Sequence, residues 1–240
     1  MKTITKILSI LFVVVVLTSC NINMFNRING NRNVVSVDRK TSQKFNKIKV
    51  STGLDLYLTQ GAKNKVTVEA DENLHDIIIT EVNDGVLKIY SEKNIWQAKA
   101  RKVFVTVKDL EVLTATSGSD VYAKETIKVN DIKISSSSGA DIRINIDANI
   151  VETSSTSGSD INIYGTANNH ISKATSGASI SAYGLKSKNA TVSVSSGADI
   201  NIYASESINA RASSGGDIDF KGQPKEVSKK SSSGGSISAK

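Results

Sequence analysis

Scarcity sets the first limits on this chain. One cysteine, Cys20, stands in 240 residues, so no disulfide can close within the chain. Only two histidines are present, His75 and His170, and neither has a partner at ligand spacing, which argues against a metal centre. No nucleophile elbow or positioned base accompanies the abundant serine, so serine-based catalysis has no visible machinery. Aromatic residues make up 5% of the chain, and proline occurs once, at Pro224. A compact core of stacked rings is therefore disfavoured, and thin layers filled with Ile, Val, Leu and Ala suit the composition better. The one long apolar run, Ile7 to Leu17, is too short to span a bilayer permanently.

What the chain has instead is repetition. Thr116-Ser117-Gly118-Ser119-Asp120-Val121 returns as Ser137-Ser138-Gly139-Ala140-Asp141-Ile142, and again at Gly158, Gly177, Gly197, Gly215 and Gly234. The glycines are 21, 19, 19, 20, 18 and 19 residues apart. An earlier copy at Gly53 stands apart from this run. A period near 19 marks a solenoid, in which no single coil can bury its apolar face alone. Counting from the Gly, positions −5 and −3 and positions +3 and +5 are small or apolar, as in Val192 and Val194 or Ile161 and Ile163. Alternation on both sides predicts two strands per coil with a corner between them. Parallel crossovers are usually right-handed, so the expected fold is all-β: a right-handed parallel β-helix over residues 111–240.

At the corner, Gly supplies either a positive φ or room for tight packing. The Ser/Thr hydroxyls can bond to nearby backbone or to the same hydroxyl one coil away. Asp120, Asp141, Asp160, Asp199 and Asp217 would form a column, interrupted by Ser179 and ended by Ser236. Such a column could hold a cation or form a polar ladder. Like charges ~4.8 Å apart repel by only ~0.9 kcal/mol in water, so no metal is required, and the balance weighs against calcium. No long loop leaves the repeats to wall a catalytic cleft. His170 reads as a surface turn residue.

Residues 34–110 form a less regular β-rich part. Val66 to Ala70 and Val103 to Val107 alternate, and Asn83-Asp84-Gly85 between apolar runs signals a hairpin. Asp71 is placed to cap one helical turn. Trp96 lies in a loop with Lys93, Lys99, Arg101 and Lys102. It could stack on a sugar, and more often such a residue covers the edge of a core.

Lys2 and Lys6 before the apolar run make residues 1–19 a secretory signal. Its end, Leu17-Thr18-Ser19-Cys20, resembles the bacterial lipobox, which implies that Cys20 carries acyl chains, palmitate among them, and anchors the chain to a membrane. Residues 20–33 read as the lipidated tether. Loss of the signal lowers the formal net charge from +7 to +5. The remaining basic residues suit a solvated surface, or weak attraction to anionic envelope polymers. Nucleic acid is not expected as a partner, since export separates the two and no recognition motif is present.

The lipobox, Ile48 to Leu56, Val66 to Asp71, Asp84 to Tyr90 and the Ser-Gly-x-Asp repeats together resemble the head GIN domain family of small Gram-negative lipoproteins. The resemblance implies a β-helix, a cell-envelope location such as the outer membrane, on its periplasmic or its surface side, and an adhesin-like or scaffolding role toward a glycan or protein. It brings no catalytic residues, metal or cofactor. The alternative is a polysaccharide lyase or hydrolase built on the same fold.

Overall fold

A computed structural model describes residues 27–41 and 43–240. The signal, the lipobox with Cys20 and the first part of the tether lie outside the described residues. The described chain is a parallel β-solenoid. Its long strands, Asp141–Thr156, Asp160–Thr175 and Ser179–Val194, each run unbroken across both faces. The half of Asp141–Thr156 that follows its corner pairs with Asp120–Lys128, and the other half pairs with Asp131–Ser137. Each coil thus gives a post-corner segment to one face and a pre-corner segment to the other. Coil joins coil in parallel, in the register Asp120–Asp141–Asp160–Ser179–Asp199–Asp217–Ser236.

Between the faces lie the inward columns. Val121, Ile142, Ile161, Ile180, Ile200 and Ile218 stack at position +3 and are sealed from solvent. β-Branched side chains fit the pleated, half-buried surface, and each fully buried Ile contributes roughly 1.5–3 kcal/mol. The small residues at position +1 (Ser119, Ala140, Ser159, Ala178, Ala198) are buried just inside the turn. Several inward positions are polar, which the alternation did not reveal. Ser155 Oγ donates to the Ser159 carbonyl at 2.7 Å, closing the corner from within.

The corner has a definite geometry. Ser157 and Gly158 have φ of 57° and 65°, and every other corner repeats this pair of positive values. Two positive φ angles are the requirement of a type I′ turn. Its closing bond is present where Gly216 N donates to Ser213 O at 3.0 Å and Gly235 N to Ser232 O at 2.9 Å. A Cβ added at Gly158 would meet nothing within 4 Å. Of the two reasons open in the sequence, dihedral angle and space, the dihedral angle is therefore the one that applies. The Gly N–H then donates to the next coil: Gly53 to Ser117 O, Gly118 to Ser138 O, Gly139 to Ser157 O, and so on to Gly215 and Ser233 O, all at 3.0–3.2 Å. At two places the first hydroxyl of the motif reaches one coil away: Ser137 Oγ to Thr116 Oγ1 at 3.0 Å, and Thr175 Oγ1 with Ser195 Oγ at 3.2 Å.

The Gly53 corner is part of this stack, not apart from it. Lys47–Val50 and Asp55–Gln60 pair directly with Val112–Thr116 and Asp120–Lys128. The 60-odd residues between Gly53 and Gly118 fold over the end of the solenoid. On the post-corner face, Arg101–Val107 continues in parallel, then Lys65–Asp71 and Val34–Arg39 turn antiparallel. On the other face, Val86–Ser91 is parallel and Ile78–Asn83 antiparallel, joined by the expected Asp84-Gly85 hairpin. Folded structure begins earlier than Val34, because Arg27–Asn29 pairs with Asn94–Gln97. Asp71 precedes a 3-10 turn, Glu72–Leu74, but its side chain does not cap it. The carboxylate instead accepts N–H bonds from Arg32, Lys99 and Ala100, tying both ends of this cap together. Burial opposes its charge, yet those bonds prevail and hold the carboxyl below its ordinary value.

His170 differs from the expectation. It is fully buried in the solenoid, where inward alternation from Ser172 and Ala174 carries it. Its Nε2 lies 2.9 Å from Thr153 Oγ1, which donates to Ser172 Oγ at 2.9 Å. With Nε2 as donor, Nδ1 is an acceptor lacking a partner among the described residues.

Two outcomes follow from these packing facts. Gly158→Val lowers stability by about 1–3 kcal/mol, and Gly158→Asn by clearly less, since Asn enters the left-handed region more readily; urea unfolding midpoints measure both. Burial pushes His170 down to about 4 from 6.5. Between those values the unfolded chain binds a proton that the folded chain refuses, so stability falls as pH falls through that window, by up to about 3 kcal/mol. Thermal melts of the protein and of His170→Val from pH 7 to pH 4 should diverge, with the variant losing less on acidification.

Candidate functional site

The outward positions of the post-corner face carry the most varied chemistry. Position +2 is the acid column. Asp55 joins it, in register with Asp120 on one side and Lys102 on the other. Asp55, Asp120, Asp141 and Asp160 thus occupy four successive coils. Burial raises the Asp120 carboxyl, and the neighbouring Asp55 and Asp141 charges raise it further. Burial and Asp141 do the same to Asp160, and burial with Asp217 and Asp219 to Asp199. For Asp55, burial outweighs the opposing pull of Arg101 and Lys102. Among the described residues, no three His, Cys, Asp or Glu side chains group to hold a metal ion. The carboxylates stand side by side along a sheet rather than converging on a point. Ser179 and Ser236 sit in register and interrupt the column as the sequence indicated.

Next to the acids runs a ridge of aromatic rings that the sequence reading missed. Phe104, Tyr57 and Tyr122 occupy adjacent strands at position +4 or its equivalent. Tyr57 stacks between the other two, with centroids 5.1 Å from Phe104 and 5.4 Å from Tyr122. Farther along, Tyr164, Tyr183 and Tyr203 fall at position +6, about two residues or ~7 Å across the face. Five of the six tyrosines therefore share one face of one sheet. The signal was available: once the repeats are aligned on Gly, these tyrosines fall in two columns. Lysines cover two of the later rings, Lys186 Nζ lying 4.0 Å from the Tyr203 centroid and Lys221 Nζ 4.5 Å from that of Tyr183.

Between the two groups of rings is a pocket of about 460 Å³, open to solvent. Tyr122 and Tyr164 flank it, Arg143 and Asn145 lie in it, and Lys124 stands at its rim. A register irregularity between Ala123 and Thr126 leaves Lys124 and Glu125 unpaired with the next coil and exposed beside it. Burial, with Asp120 next to it, holds the Tyr122 phenol above its ordinary value, so it stays protonated.

Trp96 lies elsewhere, at the capped end. It is 55% exposed, and it is Ile95 that faces the core. The indole does not cover a core edge; the Arg27 guanidinium lies 4.1 Å above its ring. Of the basic residues near it in sequence, Lys102 pairs with Glu69 at 3.4 Å.

The comparisons agree with this architecture. A search among curated proteins finds no match. A putative adhesin from Bacteroides fragilis NCTC 9343 superposes with a TM-score of 0.84 at 23% identity, over 89% of this chain and 100% of the other. A putative adhesin from Parabacteroides distasonis ATCC 8503 gives 0.74 at 22% identity, over 90% and 100%. A putative lipid binding protein from the same organism gives 0.72 at 23% identity, over 89% and 99%. At these identities the structures share the fold. A family profile matches residues 44–224, from the first coil through the Gly215 corner. The chain belongs to the family described as "Putative auto-transporter adhesin, head GIN domain".

Proposed function

We propose that the chain is an envelope lipoprotein, tethered by acyl chains on Cys20, whose solenoid binds or scaffolds and does not catalyse. The observation that carries the non-catalytic part is the two-residue corner. It recurs at all eight corners from Gly53 to Gly234, so among the described residues no long loop rises beside the acids from Asp120 to Asp217; the longer connection, residues 92–100, lies at the capped end beside Asp55. Neighbouring acids ~4.8 Å apart come near the separation of a retaining glycosidase pair, but here they lie in line on an open sheet. Burial and mutual repulsion account for their raised pKa values, without appeal to an acid catalyst. Membership in an adhesin family supports a cell-envelope or surface setting. The lipobox-like segment Leu17 to Cys20 supports lipid anchoring in that envelope, and the outer membrane is the membrane we propose.

The anchor and the absence of catalysis have separate tests. Cys20→Ser should move the protein from the membrane pellet to the soluble fraction in its native host, because acyl chains supply the membrane affinity, roughly 0.8 kcal/mol per buried methylene. A variant that still sediments in high salt would refute the lipid tether. Turnover of an envelope glycan by the purified protein, abolished by Asp120→Asn, would refute the non-catalytic reading.

A further inference from the structure

The rings of the post-corner face differ in one respect: whether their faces are taken. Tyr57 is held between Phe104 and Tyr122. Tyr183 and Tyr203 have a lysine ammonium over them. Tyr122 has a ring neighbour on the Tyr57 side alone, and Tyr164 has none among the described residues. These two incompletely covered rings line the same pocket. Tyr164 is also the most exposed aromatic of this face, at 45%. Its position is built in. One side of the ring rests on Gly184 in the next coil, where an added Cβ would overlap Cδ1 and come within 3.2 Å of Cγ.

The polar groups of the pocket are of two kinds. Arg143 and Lys124 supply positive charge, and neither joins an ion pair among the described residues. Asn145 and the Tyr122 phenol supply neutral donors and acceptors. Asp120 and Asp141 border the corner side, directly in register with one another and two residues from Tyr122 and Arg143 on their own strands. Aromatic faces suit the apolar C–H face of a six-membered sugar ring. A guanidinium suits a carboxylate, which it can grip with two parallel hydrogen bonds. Carboxylates and an amide suit hydroxyl groups. About 460 Å³ lies in the range of small-ligand sites, enough for one or two such rings.

We propose that Tyr122, Tyr164, Arg143 and Lys124 form a binding site for an acidic sugar, a pyranose ring bearing a carboxylate. The ring lies against the tyrosines with its carboxylate toward Arg143 and its hydroxyls toward Asn145 and the acid column. Lys124, carried on the unpaired segment, closes the outer side. The site gives the binding role proposed above a ligand class, and rests on that reading for its biological setting. It does not rest on the lipid tether, since binding is read in solution.

The test uses the full chain purified in detergent, titrated calorimetrically with a set of acidic sugars: galacturonate oligomers, a glucuronate-containing hyaluronan fragment and a sialylated oligosaccharide. Neutral galactose oligomers, polyglutamate and oleate serve as comparisons. At least one acidic sugar should bind, and Arg143→Gln and Tyr164→Ala should each weaken it about tenfold or more. Tyr164→Phe should retain binding. Gly184→Ala, which displaces the ring and changes no charge, should weaken it. Arg211→Gln, an exposed cation on the opposite face, should leave it unchanged. Failure of every acidic sugar to bind overturns the proposal. So does equal affinity for galactose oligomers or polyglutamate, or tighter binding of oleate, which would assign the pocket to a lipid carboxylate. A glycan that is bound but also cleaved would keep this site and overturn the non-catalytic reading instead.

Discussion

At every corner from Gly53 to Gly215 a Gly N–H donates to the Ser carbonyl of the coil that follows, and the bond can form because both residues of the turn take positive φ. This left-handed pair reverses the chain in two residues and brings the next strand back in register. Everything else in the solenoid depends on that regularity. The Ile column at position +3 can stack because successive coils place it at the same height. The acids at +2 and the tyrosines at +4 and +6 line up for the same reason. Seven such bonds connect eight corners, from Gly53 to Ser233. Each non-Gly residue held at positive φ costs roughly 1–2 kcal/mol, and the interlocked coils on either side offset it.

The N-terminal cap shows how such a stack is stopped. Parallel sheet edges leave rows of unpaired backbone groups that invite another chain. Here the two faces are finished by antiparallel strands, Val34–Arg39 on one and Ile78–Asn83 on the other. Buried Asp71 ties Arg32, Lys99 and Ala100 into the same end. The described coil farthest from this cap has a different character. Glu226–Ser231 is exposed along its length and carries Lys229 and Lys230, charged side chains that discourage edge-to-edge pairing.

Legibility followed locality. The period, the alternation at −5, −3, +3 and +5 and the Asp84-Gly85 hairpin are short-range patterns, and the structure reproduces them. Gly53 was visible as a copy of the motif, but its place in the stack depends on pairings across some 60 residues of intervening chain. His170 looked like a turn residue because polar neighbours surround it in sequence. Its burial follows from sharing a column parity with Ser172 and Ala174, and from Thr153 one coil below. The acid column could be read because one residue type recurs at one position. The tyrosine ridge was harder, since it crosses from position +4 to +6 midway and takes in Phe104 from outside the repeats. Whether a ring is capped by a lysine or left open is set by side-chain packing between coils, which no single repeat contains.

The choice of Ser before the corner Gly also bears on how the protein ages. Asn-Gly is the dipeptide that most readily adopts two positive φ angles. It is also the one in which the following backbone nitrogen most easily attacks the side-chain amide, closing a succinimide that opens to aspartate or isoaspartate. A chain with Asn at every corner would be less strained when made and chemically perishable afterwards. An isoaspartate inserts an extra methylene into the backbone, and at a corner it would break the register of all coils beyond. Ser and Thr lack the amide, so the turns built on Thr52, Ser117, Ser138, Ser157, Ser176, Ser196, Ser214 and Ser233 exchange conformational ease for chemical durability.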